Sequence, residues 1–227
     1  MFFFDPSYVL LIPALLFAMY AQQKVSSTFR RYLKEFASSN LTGAQVARSI
    51  LDAHNLAEVP VDLVKGNLTD HYDPRSRVLR LSQTVYQSSS LAAIGVAAHE
   101  AGHALQHAHN YAPLGIRNNL FPVANFGSQL AFPLFFIGFF FQTDLFMLIG
   151  IWFFIAALAF QIVTLPVEFN ASNRALRLLT DGGFVTRSEL PKAKAVLNAA
   201  ALTYVAAAAM AASQVLRLLV LRNARRS

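Results

Sequence analysis

The chain has 227 residues, 55% hydrophobic and 14% charged, with 20 Phe, a formal net charge of +7 and no Cys. That apolar share excludes a disordered chain, and the missing thiols exclude a disulfide-stapled secreted domain and any Cys-held zinc, so a metal must sit on His, Asp or Glu. The apolar residues gather in long runs instead of recurring at helical or strand periods, which points to a membrane protein carrying one catalytic unit.

The first run, residues 8–21, has no Lys or Arg before it, whereas Lys24, Arg30, Arg31 and Lys34 follow it. A secretory signal begins with basic residues, so 1–21 reads as an uncleaved anchor with its N-terminus outside and residue 22 onward in the cytoplasm. Residues 42–56 place Val46, Ile50 and Leu51 at helical spacing behind a cap at Thr42 or Gly43. Within 59–82, apolar stretches flank the turn-rich Lys65-Gly66-Asn67 and Asp73-Pro74-Arg75-Ser76, which predicts two or three short strands. Ser88, Ser89 and Ser90 then offer an N-cap for a helix over 91–109.

Runs 121–141 and 145–165 contain no charge and are separated by Gln142, Thr143 and Asp144, so they predict a membrane hairpin with an external turn. In the first of them Asn125, Ser128 and Gln129 are expected to face protein. The cytoplasmic part is then 22–120 together with 166–194. The last stretch, 195–227, holds an Ala-rich run interrupted by Asn198, Gln214 and Arg217. It reads as a fourth span, with burial in the protein or the interface as the alternative, because a full crossing puts Arg222, Arg225 and Arg226 outside, against the charge rule. The basic tail suits lipid headgroups, and no nucleic-acid partner is expected.

Inside the 91–109 helix stands His99-Glu100-Ala101-Gly102-His103. Residues four apart share a helix face, so both imidazoles can address one ion, while Glu100 can serve as general base without being a ligand. A catalytic zinc needs a third protein ligand and an open position. His109 has the spacing of a metzincin third ligand, but Gln106 replaces the glycine that would turn the chain back. His107 lies on the same straight helix as His103, and three ligands along one helix cannot converge on a tetrahedral ion. The acids beyond Glu100 are Asp144, Glu168, Asp181 and Glu189. Glu168 follows Leu165-Pro166 at the mouth of the third span, two crossings after His103 and so on the same side, and a carboxylate there is costly unless partnered. Glu168 is the favoured third ligand and Glu189 the alternative.

The stretches TDHYDP (69–74), VAAHEAGHALQH (96–107), PVAN (122–125), TLPVEFNAS (164–172) and ALTYVA (201–206) resemble the bacterial neutral zinc metallopeptidases called YugP-like, over nearly the whole chain. The resemblance implies a mainly α, zincin-like integral membrane peptidase with a small β element, holding Zn²⁺ on His99, His103 and Glu168, with Glu100 catalytic. More remotely the layout is similar to HtpX-like and CAAX-prenyl-protease gluzincins, whose third ligand opens a Glu-x-x-Ala-Asp motif. Glu168 and Ala171 match that pattern, and Ser172 stands where the Asp would orient a ligating histidine.

The expected activity is metal-dependent hydrolysis of protein or peptide substrates at the plasma (inner) membrane, with the active site facing the cytoplasm. Tyr204 is the preferred oxyanion donor, with His71 and Arg174 as alternatives. The strand around 77–81 could take an extended substrate on its edge, or be fully paired. The rival reading is a non-catalytic zinc-binding membrane protein or metal transporter. Against transport, spans two and three contain no ionisable residue.

Overall fold

The computed structural model describes residues 6–226. The chain forms two compact units: Met1–Gln22, Ala112–Pro166 and Thr203–Ser227 in one, Gln23–Tyr111 and Val167–Leu202 in the other. The first five residues of the predicted anchor and the last residue of the tail lie outside the described residues. Among the described residues, four helical segments are long and apolar enough to cross a membrane: Pro6–Tyr32, Ala112–Phe140, Asp144–Asp181 and Leu190–Arg225.

In the first unit, a 3₁₀ turn (Pro6–Leu11) leads into α1 (Ile12–Tyr32). Helices α5 (Ala112–Phe140) and α6 (Asp144–Asp181) then make a hairpin. Its turn needs one left-handed residue, supplied by Gln142 at φ 58°, and the Thr143 N–H donates to the Gly138 carbonyl at 2.9 Å. The two helices meet around Ala131, Phe135, Met147, Ile151 and Phe154, joined by Leu218 of α7 (Leu190–Arg226). A Cβ on Gly150 would fall 2.6 Å from the Ala131 carbonyl oxygen, so the hairpin closes only because that side chain is missing. Helix α7 runs unbroken through Asn198, Gln214 and Arg217, and its buried cation is provided for: Arg217 stacks 3.8 Å over the Tyr8 ring and donates to Ser7 Oγ at 3.1 Å. Near its end, Arg222 clasps both carboxylate oxygens of Asp144 at 2.7 Å. Arg225 caps the Gly138 carbonyl at 2.9 Å.

The second unit is built around α4 (Leu91–Ala108). Ser90 caps it, its Oγ accepting from the Ala93 N–H at 3.2 Å. The helix is Ala-rich and apolar on nearly every side, as a helix enclosed by neighbours must be. It packs against α2 (Gly43–Ala53), which opens with a reciprocal Thr42–Gln45 capping box and buries Val46, Ala47, Ile50 and Leu51. A three-stranded sheet of β1 (Val61–Val64), β2 (His71–Asp73) and β3 (Val78–Ser82) has the order β1-β3-β2, with β1 parallel and β2 antiparallel to β3. Leu79 and Leu81 of β3 enter the core, and the short α3 (Gln83–Gln87) leads on to α4. The segment of α6 from Val167 belongs to this unit, and the helix continues unbroken through Pro166. Glu168 is therefore a mid-helix residue, not the start of a helix.

Of the two readings of the strand at 77–81, the sheet bears out full pairing: β3 is paired on both sides, and the edges belong to β1 and β2.

Candidate metal centre

Two helices of the second unit bring the centre together. His99 and His103 stand one turn apart on α4, and Glu168 faces them from α6. Close approach is possible where Gly102 meets α6: a Cβ there would lie 3.0 Å from the Ala171 carbonyl oxygen. One potential ligand atom from each of His99, His103 and Glu168 lies within 4.8 Å of the others. Glu168 Oε2 is 3.2 Å from His99 Nε2 and 3.6 Å from His103 Nε2. A tetrahedral ion with arms of about 2.1 Å separates its ligands by about 3.4 Å, so these spacings bracket what zinc requires.

The electrostatics favour a cation. Glu168 is 2% exposed, and His103 and Glu100 are each 8% exposed. Burial pushes the His103 imidazole down, but the Glu168 carboxylate and, more weakly, Glu100 more than offset it, leaving its pKa above the ordinary histidine value. A pocket that draws a proton onto a buried imidazole draws a metal cation by the same potential. Two imidazoles, one carboxylate and no thiol form a donor set that zinc accepts.

Around these groups the polar contacts are specific. Glu100 Oε2 accepts from the Tyr72 N–H of β2 at 2.9 Å. The Tyr72 hydroxyl lies 2.9 Å from His107 Nδ1, so β2 is tied to α4 at two points along the helix. Asp70 accepts from the Ser82 N–H and hydroxyl at 2.7 and 3.0 Å, holding the entry of β2 to the end of β3. Burial raises the Asp70 pKa, partly countered by those two bonds. Ser172 Oγ lies 3.2 Å from His99 Nδ1, which puts a hydroxyl where the remoter gluzincin pattern has a carboxylate.

The residues left over from the sequence search are engaged elsewhere. His109 is the C-cap of α4. Glu189 accepts from the Ser38 N–H and hydroxyl and from Thr186. Of the oxyanion candidates, His71 turns Nδ1 to the Thr69 carbonyl at 2.8 Å and Arg174 donates from Nε to Asn170 Oδ1 at 2.8 Å. Tyr204 lies on the stretch of α7 that belongs to the other unit, half-buried.

Sequence reasoning missed Gln106 and Asn170. Gln106 is completely buried, with Oε1 2.9 Å from His103 Nδ1 and Nε2 donating to the Val167 carbonyl at 2.8 Å and to Asn170 Oδ1 at 3.0 Å. The available signal was spacing: Gln106 is three residues past His103 and so on the same helix face.

A family model described as "Putative neutral zinc metallopeptidase" matches residues 7–223. The chain belongs to this neutral zinc metallopeptidase family. It is also 50% identical over 213 residues to the "Putative membrane protease YugP" of Bacillus subtilis (strain 168), covering 93% of this chain and 94% of that protein. No solved structure matches. For a member of this family, zinc is the implied metal, and the four long apolar helices agree with the relative's description as a membrane protein.

Proposed function

We propose that the protein is a membrane-bound zinc metalloendopeptidase that hydrolyses peptide bonds of protein substrates, with His99, His103 and Glu168 holding zinc and Glu100 as general base and acid. The observation that carries this reading is the convergence of two imidazoles and a buried carboxylate, with a second buried carboxylate, Glu100, on the same helix as the imidazoles. When bound, zinc supplies Lewis acidity toward a carbonyl and lowers the pKa of a water to about 7. The chain's own residues do the rest. The Tyr72 N–H holds Glu100 Oε2, leaving Oε1 to take a proton from the attacking water and return it to the departing amine. Tyr204 is the proposed oxyanion donor, to be tested with Tyr204→Phe.

We further propose the division read from the sequence: an anchor at 1–21, cytoplasmic parts at 22–120 and 166–194, a hairpin at 121–165 and a final span with its tail at 195–227. The active site then faces the cytoplasm at the inner membrane. Supporting this orientation are the four basic residues at 24–34 behind the first span and the absence of basic residues from the 142–144 turn. The lipid bilayer and protein or peptide substrates are its partners, and no nucleic acid is involved.

The deciding experiment measures zinc content and casein or peptide cleavage for the purified wild type beside Glu100→Gln. Zinc retained at one equivalent with cleavage reduced about 10²–10⁴-fold is the expected outcome. Undiminished cleavage by the variant overturns the role of Glu100. A wild type that binds zinc and cleaves nothing returns the protein to the non-catalytic metal-binding class.

A further inference from the structure

The hydrogen bonds behind His103 leave no freedom in which nitrogen carries its proton. Arg174 Nε reaches Asn170 at 2.8 Å, and a guanidinium only donates, so the Asn170 atom it meets is the amide oxygen. Gln106 approaches that same oxygen at 3.0 Å and the Val167 main-chain carbonyl at 2.8 Å. Two acceptors on one side fix the Gln106 NH₂ there. Its Oε1 is thereby what faces His103 Nδ1 at 2.9 Å, and that ring nitrogen must be the one bearing hydrogen. In the neutral ring the lone pair is then on Nε2, the nitrogen 3.6 Å from Glu168. His99 differs: its Nδ1 faces the Ser172 hydroxyl, which can donate or accept and so selects no tautomer.

We infer that Gln106 is a positioning residue, locked by Asn170 and Arg174, that holds His103 as the Nδ1–H tautomer and so keeps Nε2 open to a cation. A buried glutamine could instead serve only to tie α4 to α6 through its two donated bonds. The two roles separate chemically. Glutamate at this position still accepts the His103 proton but loses both donations, and it points a second acceptor at Val167 and Asn170. Methionine keeps the volume and loses everything polar. If the residue merely ties helices, glutamate is the worse replacement; if it sets the tautomer, glutamate rescues.

The tautomer is read by nitrogen NMR on the full-length, ¹⁵N-histidine-labelled protein, stripped with chelator and held at a pH where imidazoles are neutral. The His103 signals are assigned by their loss in His103→Gln. Wild type and Gln106→Glu should carry the proton on Nδ1, and Gln106→Met should lose that preference. The effect on zinc rests on the metallopeptidase reading and is measured separately by chelator competition. The dissociation constant should rise about 10–100-fold in Gln106→Met and return toward the wild-type value in Gln106→Glu. A wild-type His103 protonated on Nε2 overturns the inference without any variant, as does Gln106→Glu binding zinc more weakly than Gln106→Met. A wild type that takes up no zinc defeats the metallopeptidase reading, while the tautomer result still decides the role of Gln106.

Discussion

The sheet-and-helix unit and the helical unit both enclose polar atoms, but they arrange them differently. In the former, donors and acceptors are strung together: Arg174, Asn170, Gln106 and His103 form one chain, and Tyr72 links Glu100 and His107. In the latter, charged contacts sit at helix ends, with Arg222 on Asp144 and Arg225 on the Gly138 carbonyl. The buried Arg217 rests on an aromatic face, and Gln214 Oε1 has no partner among the described residues. The lone pair inferred for His103 needs the neighbours behind that ring oriented, since a half-satisfied network would let the imidazole turn. A bundle that must fit a bilayer needs its helices close, and one absent side chain at Gly150 serves that purpose.

The sharpest break in the first arrangement is Glu168→Ala. It removes the ligand proposed on α6, and zinc affinity should fall by more than the roughly 100-fold that losing an outer partner costs, as measured by metal content after dialysis. The corresponding break in the helical unit adds volume: Gly150→Leu forces a side chain into the space beside Ala131 and Phe135, and should destabilise the protein in detergent by about 3 kcal/mol. In the sheet-and-helix unit it is lost volume that hurts. Leu51 is fully buried, and Leu51→Ala should cost about 2–5 kcal/mol by thermal or denaturant melting.

Two smaller effects sharpen the contrast. Asp144→Asn removes the carboxylate from a clasp whose acidic side chain is 41% exposed, so the loss should be about 0.5–1 kcal/mol and should shrink further in high salt. Asp73, in the other unit, has its pKa lowered to about 2, first by the Ser76 hydroxyl and then by the Arg75 N–H. Because the folded pKa lies below the unfolded one, its contribution is complete above about pH 4 and is lost as pH falls toward 2. An acid titration of stability should therefore be slightly shallower in Asp73→Asn than in the wild type.

How far the sequence could be read follows from the same division. Local signals were legible: a serine at the head of α4, a cap at Thr42 or Gly43 for α2, and charge-free runs at the hairpin each act within a few residues. The convergence of His99, His103 and Glu168 was also within reach, because HExxH fixes a face and few acids follow it. Strand order was not, since pairing β1 with β3 depends on contacts far apart in the chain, and the sequence left open whether the strand at 77–81 is an edge or, as found, paired on both sides. Nor did any local pattern show that the helix passes through Pro166 unbroken, or that Gln106 meets Asn170 across 64 positions. Read in sequence, Gln106 registered only as a missing glycine.

The clasp of Arg222 on Asp144, with Arg225 at Gly138, has a practical corollary. The end of the last helix and the hairpin bend are fastened to one another, so a cysteine introduced at Gln142 and a reporter enzyme fused to the C-terminus must give the same compartment. Two independent tags thus become a built-in control. Any pair of tagged variants whose answers diverge has disturbed the protein, and any pair that agrees fixes the side of the bilayer on which both ends of that clasp reside.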